Sequence, residues 1–425
     1  GEAFAEAHNA SADVEATARC FLELIRLGVI PFAKAGMTAE ELQNYKSINQ
    51  NPFELIGLNI EPYSPIATEQ LADDIIVEQE DEVVNEISES PFAHLHVHSQ
   101  FSILQATIEV KALVNKAAKM GMPAVGLTDH TNMFGAYKFI DAVLSHPINA
   151  NLEKGETPKL KAVLGCELNV CKNHADKSVK DYGAQVPFLC KNKNGFHNLA
   201  KLSSLGNVEG FYYVPRVDKE LIASHKQDLI ALTGSTYGII PNLILNVGEV
   251  QAEEEFKWWV DTFGDDFYVE INHHNLDEER HVNKVLIAFA KKYNVKIIAS
   301  NNVYYLDKTD ANAHDILLCV KDGEQQETPK GSGRGFRYGF PNEEFYFKSS
   351  KEMQELFADL PEAIDNITHL IDKIEPYTLA REVLLPEFDI PQEFVDVKDK
   401  EDGGKRGENA YLKHLTYEGA KERYI

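Results

Sequence analysis

FAHLHVHS, residues 92–99, is the stretch from which the rest of the chain can be read. In an extended strand alternate side chains share a face, so His94, His96 and His98 project together. Three imidazoles side by side make poor core. A His-x-His pair on a strand, by contrast, grips a borderline divalent cation such as zinc, manganese or iron. The plain alternative is a surface strand carrying chance histidines. Downstream features count against it: Thr128-Asp129-His130, Gly165-Cys166-Glu167, and Glu270 with His273 and His274 each close an apolar stretch. Ligand types at successive strand ends can converge on one point, as they do at the C-terminal face of a barrel.

Around this segment, strand patterns at 93–98, 124–128, 161–167, 186–189, 229–233, 267–271 and 296–299 alternate with helical ones. The helices are expected at 108–120, 136–144, 196–204, 252–262, 279–293 and 310–320. Strand–helix alternation points to a mostly parallel sheet, and about seven such units favour a closed β/α barrel. Residues 322–340 are polar and rich in glycine. They fit no phosphate-binding fingerprint and read as a flexible surface loop. Helices are also expected at 351–357, 361–374 and 410–424.

Upstream, residues 12–26 repeat apolar positions at helical spacing. From 63 to 93 there is no Lys or Arg while acids accumulate, which reads as an acidic linker. The expected division is therefore 1–60, a 61–90 linker, 91–340 as the main domain, and 341–425. No apolar run is long enough to span a membrane. The five scattered cysteines, Cys20, Cys166, Cys171, Cys190 and Cys319, read as reduced residues of a cytoplasmic protein. A net charge of −25, from 67 acids against 42 bases, is a poor footprint for gripping a phosphate backbone.

Several long segments resemble the polymerase-and-histidinol-phosphatase (PHP) domain of bacterial DNA polymerase III alpha subunits. They include HLHVHSQFS (94–102), KMGMPAVGLTDHTNMFGAYKF (119–139), VLGCEL (163–168), FLCKNKNGFHNLAKLSS (188–204) and EGFYYVPRVDKELI (209–222). NVYYLDKTDANAHDILLCVKDG (302–323), FYFKSSKEMQELFADLPEAIDNI (345–367) and LLPEFDIP (384–391) continue the series. The resemblance implies a distorted seven-stranded β/α barrel whose site holds up to three divalent ions and, in related proteins, hydrolyses phosphoesters. Position by position, His96, His98, His130, Glu167 and His274 match family ligands. Gln105 stands where an acid is usual, Gln185 where a histidine is, Asn302 for Asp and Tyr304 for His. An amide adds no charge and a neutral phenol does not replace an imidazole. The expectation is a degenerate, mainly structural site with at most one ion (Zn, Mn or Mg) and weak or absent hydrolysis.

AHNASADVEAT, residues 7–17, resembles the last motif of DEDDh 3′–5′ exonucleases. That likeness implies His8 as general base and Asp13 as a metal ligand. A capped helix start is the simpler reading of the same residues. The exonuclease reading makes 1–60 the tail of such a domain, with its other carboxylates upstream of Gly1, and 341–425 the start of a polymerase palm whose catalytic aspartates lie downstream. On the resemblance, DNA is then bound through polymerase domains outside this chain. The implied partners are the sliding clamp, the clamp loader and an exonuclease domain in cis. Two rivals stay open: an active PHP phosphoesterase or 3′–5′ exonuclease, and a non-catalytic docking module for replisome proteins.

Overall fold

The computed structural model describes residues 38, 43–44, 46–47, 88–150, 156–331, 333–381 and 388–424. The chain divides into two units, Gly1–Val84 and Asn85–Ile425. In the first, 43–44 and 46–47 are helical. His8, Asp13, Cys20 and residues 61–87 of the acidic linker lie outside the described residues. The sheet and its helices belong to the second unit.

Short apolar runs such as AVGL and LIAL have no polar face to show water, so they form strands buried on both sides, and FYVEIN is buried along its length despite Glu270 and Asn272. Among the described residues the strands are β1 (Ala124–Leu127), β2 (Lys161–Val170), β3 (Ala184–Cys190), β4 (Leu229–Leu232), β5 (Phe267–Asn272) and β6 (Lys296–Ser300). They form one sheet in sequence order. β1–β2, β4–β5 and β5–β6 pair in parallel, whereas β3 runs antiparallel to both neighbours. The mostly parallel expectation fails at β3 because 171–183 contains no helix. Without a crossover element the chain can only turn back on itself.

The histidine segment closes the sheet. Gly126 and Thr128 donate backbone N–H groups to the His94 and Val97 carbonyls on one side. On the other, His98 N–H reaches the Val303 carbonyl at 2.8 Å and Val303 N–H reaches the His96 carbonyl at 3.0 Å. Residues 94–98 thus bridge β1 to the chain leaving β6 and act as a thin seventh strand. The approach at β1 is close enough to require glycine. A Cβ on Gly126 would lie 2.4 Å from the Leu95 carbonyl oxygen.

Helices α1 (Val110–Lys119), α2 (Ala136–Leu144), α3 (Lys193–Val208), α4 (Lys219–His225), α5 (Ile239–Asn246), α6 (Glu249–Phe263), α7 (Asp277–Tyr293) and α8 (Ala311–Asp322) connect the strands and follow the last of them. In α7 the charges follow the helix dipole, with Asp277, Glu278 and Glu279 in the first turn and Lys291 and Lys292 in the last. α4 and α5 are short elements that periodicity does not reveal.

The packing shows no boundary at 340. Helices α9 (Ser350–Leu356) and α10 (Glu362–Asp372) bury Met353, Ile364, Ile367 and Leu370 in the same core as the barrel strands. Asn366 donates to the Ile297 carbonyl on β6. The glycine-rich loop is likewise anchored. Arg337 forks onto Asp315 of α8 at 2.9 and 2.8 Å, and Phe340 is buried beside Tyr305, Leu318 and Phe345. Helices α11 (Val397–Asp402) and α12 (Arg406–Tyr424) follow. Leu412, Leu415 and Tyr417 of α12 are exposed. No described helix is long and apolar enough to cross a membrane. Cys166, Cys171, Cys190 and Cys319 are free and buried.

Candidate metal centre

The turn after His98 is held by a buried carboxylate. Asp129, at the end of β1, accepts the Ser99 N–H at 2.7 Å and the Ser99 and Ser102 hydroxyls at 2.8 Å each. Burial pushes its carboxyl above the ordinary range, and these donors offset part of that effect. Ser102 Oγ also accepts the His130 N–H. Asp129 therefore fixes the spacing between the histidine segment and His130.

His96 projects into the closed sheet between two acids from separate strands. Its Nδ1 lies 2.7 Å from Glu270 Oε1 on β5 and its Nε2 3.2 Å from Glu167 Oε1 on β2, with all three side chains fully buried. Burial opposes charging, but the two carboxylates outweigh it and push His96 up to about 10. Burial also opposes ionisation of Glu167, yet the hydrogen bond with His130 and the adjacent His96 and His98 rings hold it well below the carboxylate range. His130 Nδ1 is 3.0 Å from Glu167 Oε2. The possible ligand atoms of His96, His98 and Glu167 lie within 4.8 Å of one another.

Four of the five expected ligands therefore come together: His96, His98, His130 and Glu167. His274 does not join them. Its Nδ1 meets Glu279 Oε1 at 2.5 Å, its Nε2 meets the Asn301 carbonyl at 2.7 Å, and its ring stacks on Phe345. Both nitrogens are taken by partners outside the cluster. His94 is also engaged elsewhere. It packs between Phe92 and Phe347, its Nε2–H donates to the Lys348 carbonyl, and burial lowers it to about 3.

The substituted positions occupy the site's periphery. Asn302 Oδ1 accepts from His98 Nε2–H at 3.0 Å, and the Tyr304 ring stacks on His98 at 4.4 Å. Burial lowers His98 to about 3. Gln105 and Gln185 line a cleft of about 900 Å³ together with His130, Tyr182, Tyr213 and Tyr237. Glu270 is visible in the sequence as the single acid of an apolar strand, but nothing there marks it as a partner of His96.

The donor set fits one ion. His96 Nε2 and Glu167 Oε1 are buried without a hydrogen-bond partner, as two ligand atoms awaiting a cation would be. Two imidazoles and a carboxylate suit zinc or another borderline cation.

A model of the PHP domain matches residues 94–274. A protein named DNA polymerase III subunit alpha from Borreliella burgdorferi is 34% identical over 79% of this chain and 27% of its own length. One of the same name from Treponema pallidum is 35% identical over 78% of this chain and 26% of its own. The chain thus spans about a quarter of the relatives it matches. Among solved structures, an amidohydrolase from Chromobacterium violaceum aligns with 50% of this chain and 87% of its own at TM-score 0.34 and 11% identity.

Proposed function

With residues 94–274 belonging to the PHP family and the chain a relative of DNA polymerase III alpha subunits, we propose that it is part of a replicative DNA polymerase, with a barrel that supports DNA synthesis and no longer cleaves phosphoesters. The observation that carries this reading is at His98. The nitrogen that would face an ion is hydrogen-bonded to Asn302, and Tyr304 covers the ring. His96, His98 and Glu167 would hold at most one divalent ion, with His130 beside Glu167. Such an ion, when bound, would supply Lewis acidity and charge stabilisation to a phosphoester.

The protein's own groups hold this centre in place. Glu167 ties His96 to His130, Asp129 fixes the turn beneath them, and the tyrosines of the cleft shape its mouth. Nucleotidyl transfer, DNA binding, clamp and clamp-loader contacts, and an exonuclease in cis would belong to the parent protein. An Asp-x-Glu motif upstream and palm aspartates downstream in the natural gene would be their mark.

The test is metal analysis of protein loaded with zinc or manganese, paired with hydrolysis of single-stranded DNA. The expected result is no more than one ion per chain and hydrolysis at background. Restoring the family residues with Asn302→Asp and Tyr304→His is expected to raise the stoichiometry. Three stoichiometric ions, with brisk hydrolysis abolished by His96→Ala, would overturn the reading in favour of an active phosphoesterase.

A further inference from the structure

We infer that Glu270 is a positioning residue for metal binding, one that makes His96 present Nε2 to the ion and so places the strongest ligand of the site. This rests on the one-ion reading and adds to it a residue outside the matched ligand set.

Glu270 Oε1 is an acceptor 2.7 Å from His96 Nδ1, and no water reaches either side chain. The bond forms only if Nδ1 carries the hydrogen. In the neutral ring that leaves the lone pair on Nε2, the atom beside Glu167 that has no hydrogen-bond partner. Neither other imidazole of the cluster is arranged this way. His98 has hydrogen-bond partners at both nitrogens, Ser102 Oγ at 3.3 Å and Asn302 Oδ1 at 3.0 Å, and neither is a carboxylate. His130 directs its Nδ1 at Glu167 itself. Within the cluster, His96 has one carboxylate behind Nδ1 and, at Nε2, a nitrogen without a hydrogen-bond partner that faces Glu167 at 3.2 Å.

Glu270 is itself fixed. Its N–H donates to Thr233 Oγ1 at 2.9 Å, and it lies inside the regular β5–β6 pairing. Its second oxygen is buried without a partner, as are Asn272 Oδ1 on the same strand and Ser300 Oγ opposite Asn272. With so few donors around it, the Glu270 carboxyl has His96 as its side-chain hydrogen-bond partner. In turn it raises the basicity of the ring it holds, the effect that outer carboxylates have on metal-bound histidines.

The experiment compares zinc binding by the wild-type chain, Glu270→Gln and Glu279→Gln, using a competing chelator and the visible spectrum of the cobalt-loaded forms. Glu279→Gln alters the carboxylate on His274, outside the cluster. Glu270→Gln is expected to weaken zinc about 10- to 100-fold and to alter the cobalt spectrum, with Glu279→Gln close to wild type. Equal losses in both variants, or none in Glu270→Gln, would overturn the inference. Should Glu270→Gln fail to fold, long-range ¹H–¹⁵N spectra of the zinc-loaded wild type decide. A hydrogen on His96 Nδ1 with zinc on Nε2 supports the assignment, and the reverse defeats it. A wild-type chain that binds no zinc defeats it as well while leaving the polymerase reading intact. Three bound ions with brisk hydrolysis would sink that reading, and the comparison of variants would still judge Glu270.

Discussion

His96 lies between two buried acids, while at His94 and His98 burial outweighs the nearby charges, and stability should record the difference. In metal-stripped protein His96 is raised to about 10 from an ordinary 6.5. The folded state therefore holds a proton that the unfolded chain gives up above pH 6.5. Its stabilisation is complete below that pH and is lost as pH climbs toward 10, by about 1.4 kcal/mol per unit. His94 and His98 are lowered to about 3, so the unfolded chain takes up their protons first as pH falls below 6.5. Stability then drops on the acid side at up to about 3 kcal/mol per unit for the two together. Urea midpoints should peak between pH 6 and 7 and decline by pH 9. A midpoint that rises steadily from pH 7 to 9 would show that His96 is not charged. The clustering of His96, His98, His130 and Glu167 was legible at this scale because His-x-His and an acid at a strand end are rare in core. The direction of His274 was not, because nothing in a lone histidine says that Glu279, five residues on, will take its nitrogen.

At the scale of elements, the barrel depends on how closely residues 94–98 approach β1. Gly126 is the contact point, since a side chain there would drive a Cβ into the Leu95 backbone, which has no flexible end to move aside. Gly126→Ala should therefore cost about 3 kcal/mol, at the upper end for overpacking. It should also loosen the metal site, because the same segment carries His96 and His98. Denaturation and zinc titration of that variant check both effects, and a fully stable variant with intact zinc binding would show that the closure tolerates slack. The barrel strands and main helices could be read from apolar runs and helical periods. The reversal at β3 was also available in principle, since NHADKSVKDYG (173–183) is too polar and too short to be a crossover helix. The rooting of the glycine-rich loop was not, because it depends on the Arg337–Asp315 fork across 22 residues.

At the scale of the whole molecule, the border expected at 340 came from a resemblance to the polymerase palm and not from packing. Residues 341–425 resembled the start of another domain, yet the chain from Phe345 to Ile374 completes the barrel's own core. Phe347, Met353, Phe357, Ile364, Ile367, Leu370, Ile371 and Ile374 are all buried there. Each such side chain contributes about 1.5–3 kcal/mol when buried, so their sum rivals the 5–15 kcal/mol by which an entire domain is typically stable. Polar groups add to the attachment. Lys348 Nζ donates to Asn301 Oδ1, the Lys348 carbonyl accepts from His94, and Asn342 Nδ2 donates to the His274 carbonyl. Cutting at 340 would strip these partners from two buried histidines as well as opening β6 to water. A fragment of residues 88–340 should thus aggregate or bind hydrophobic dyes and lack a cooperative melt. A fragment of 88–377 should unfold in one transition with its metal site intact. A soluble 88–340 fragment with the same urea midpoint as the longer one would mean that the covering helices are an appendage, and that the border lies at 340.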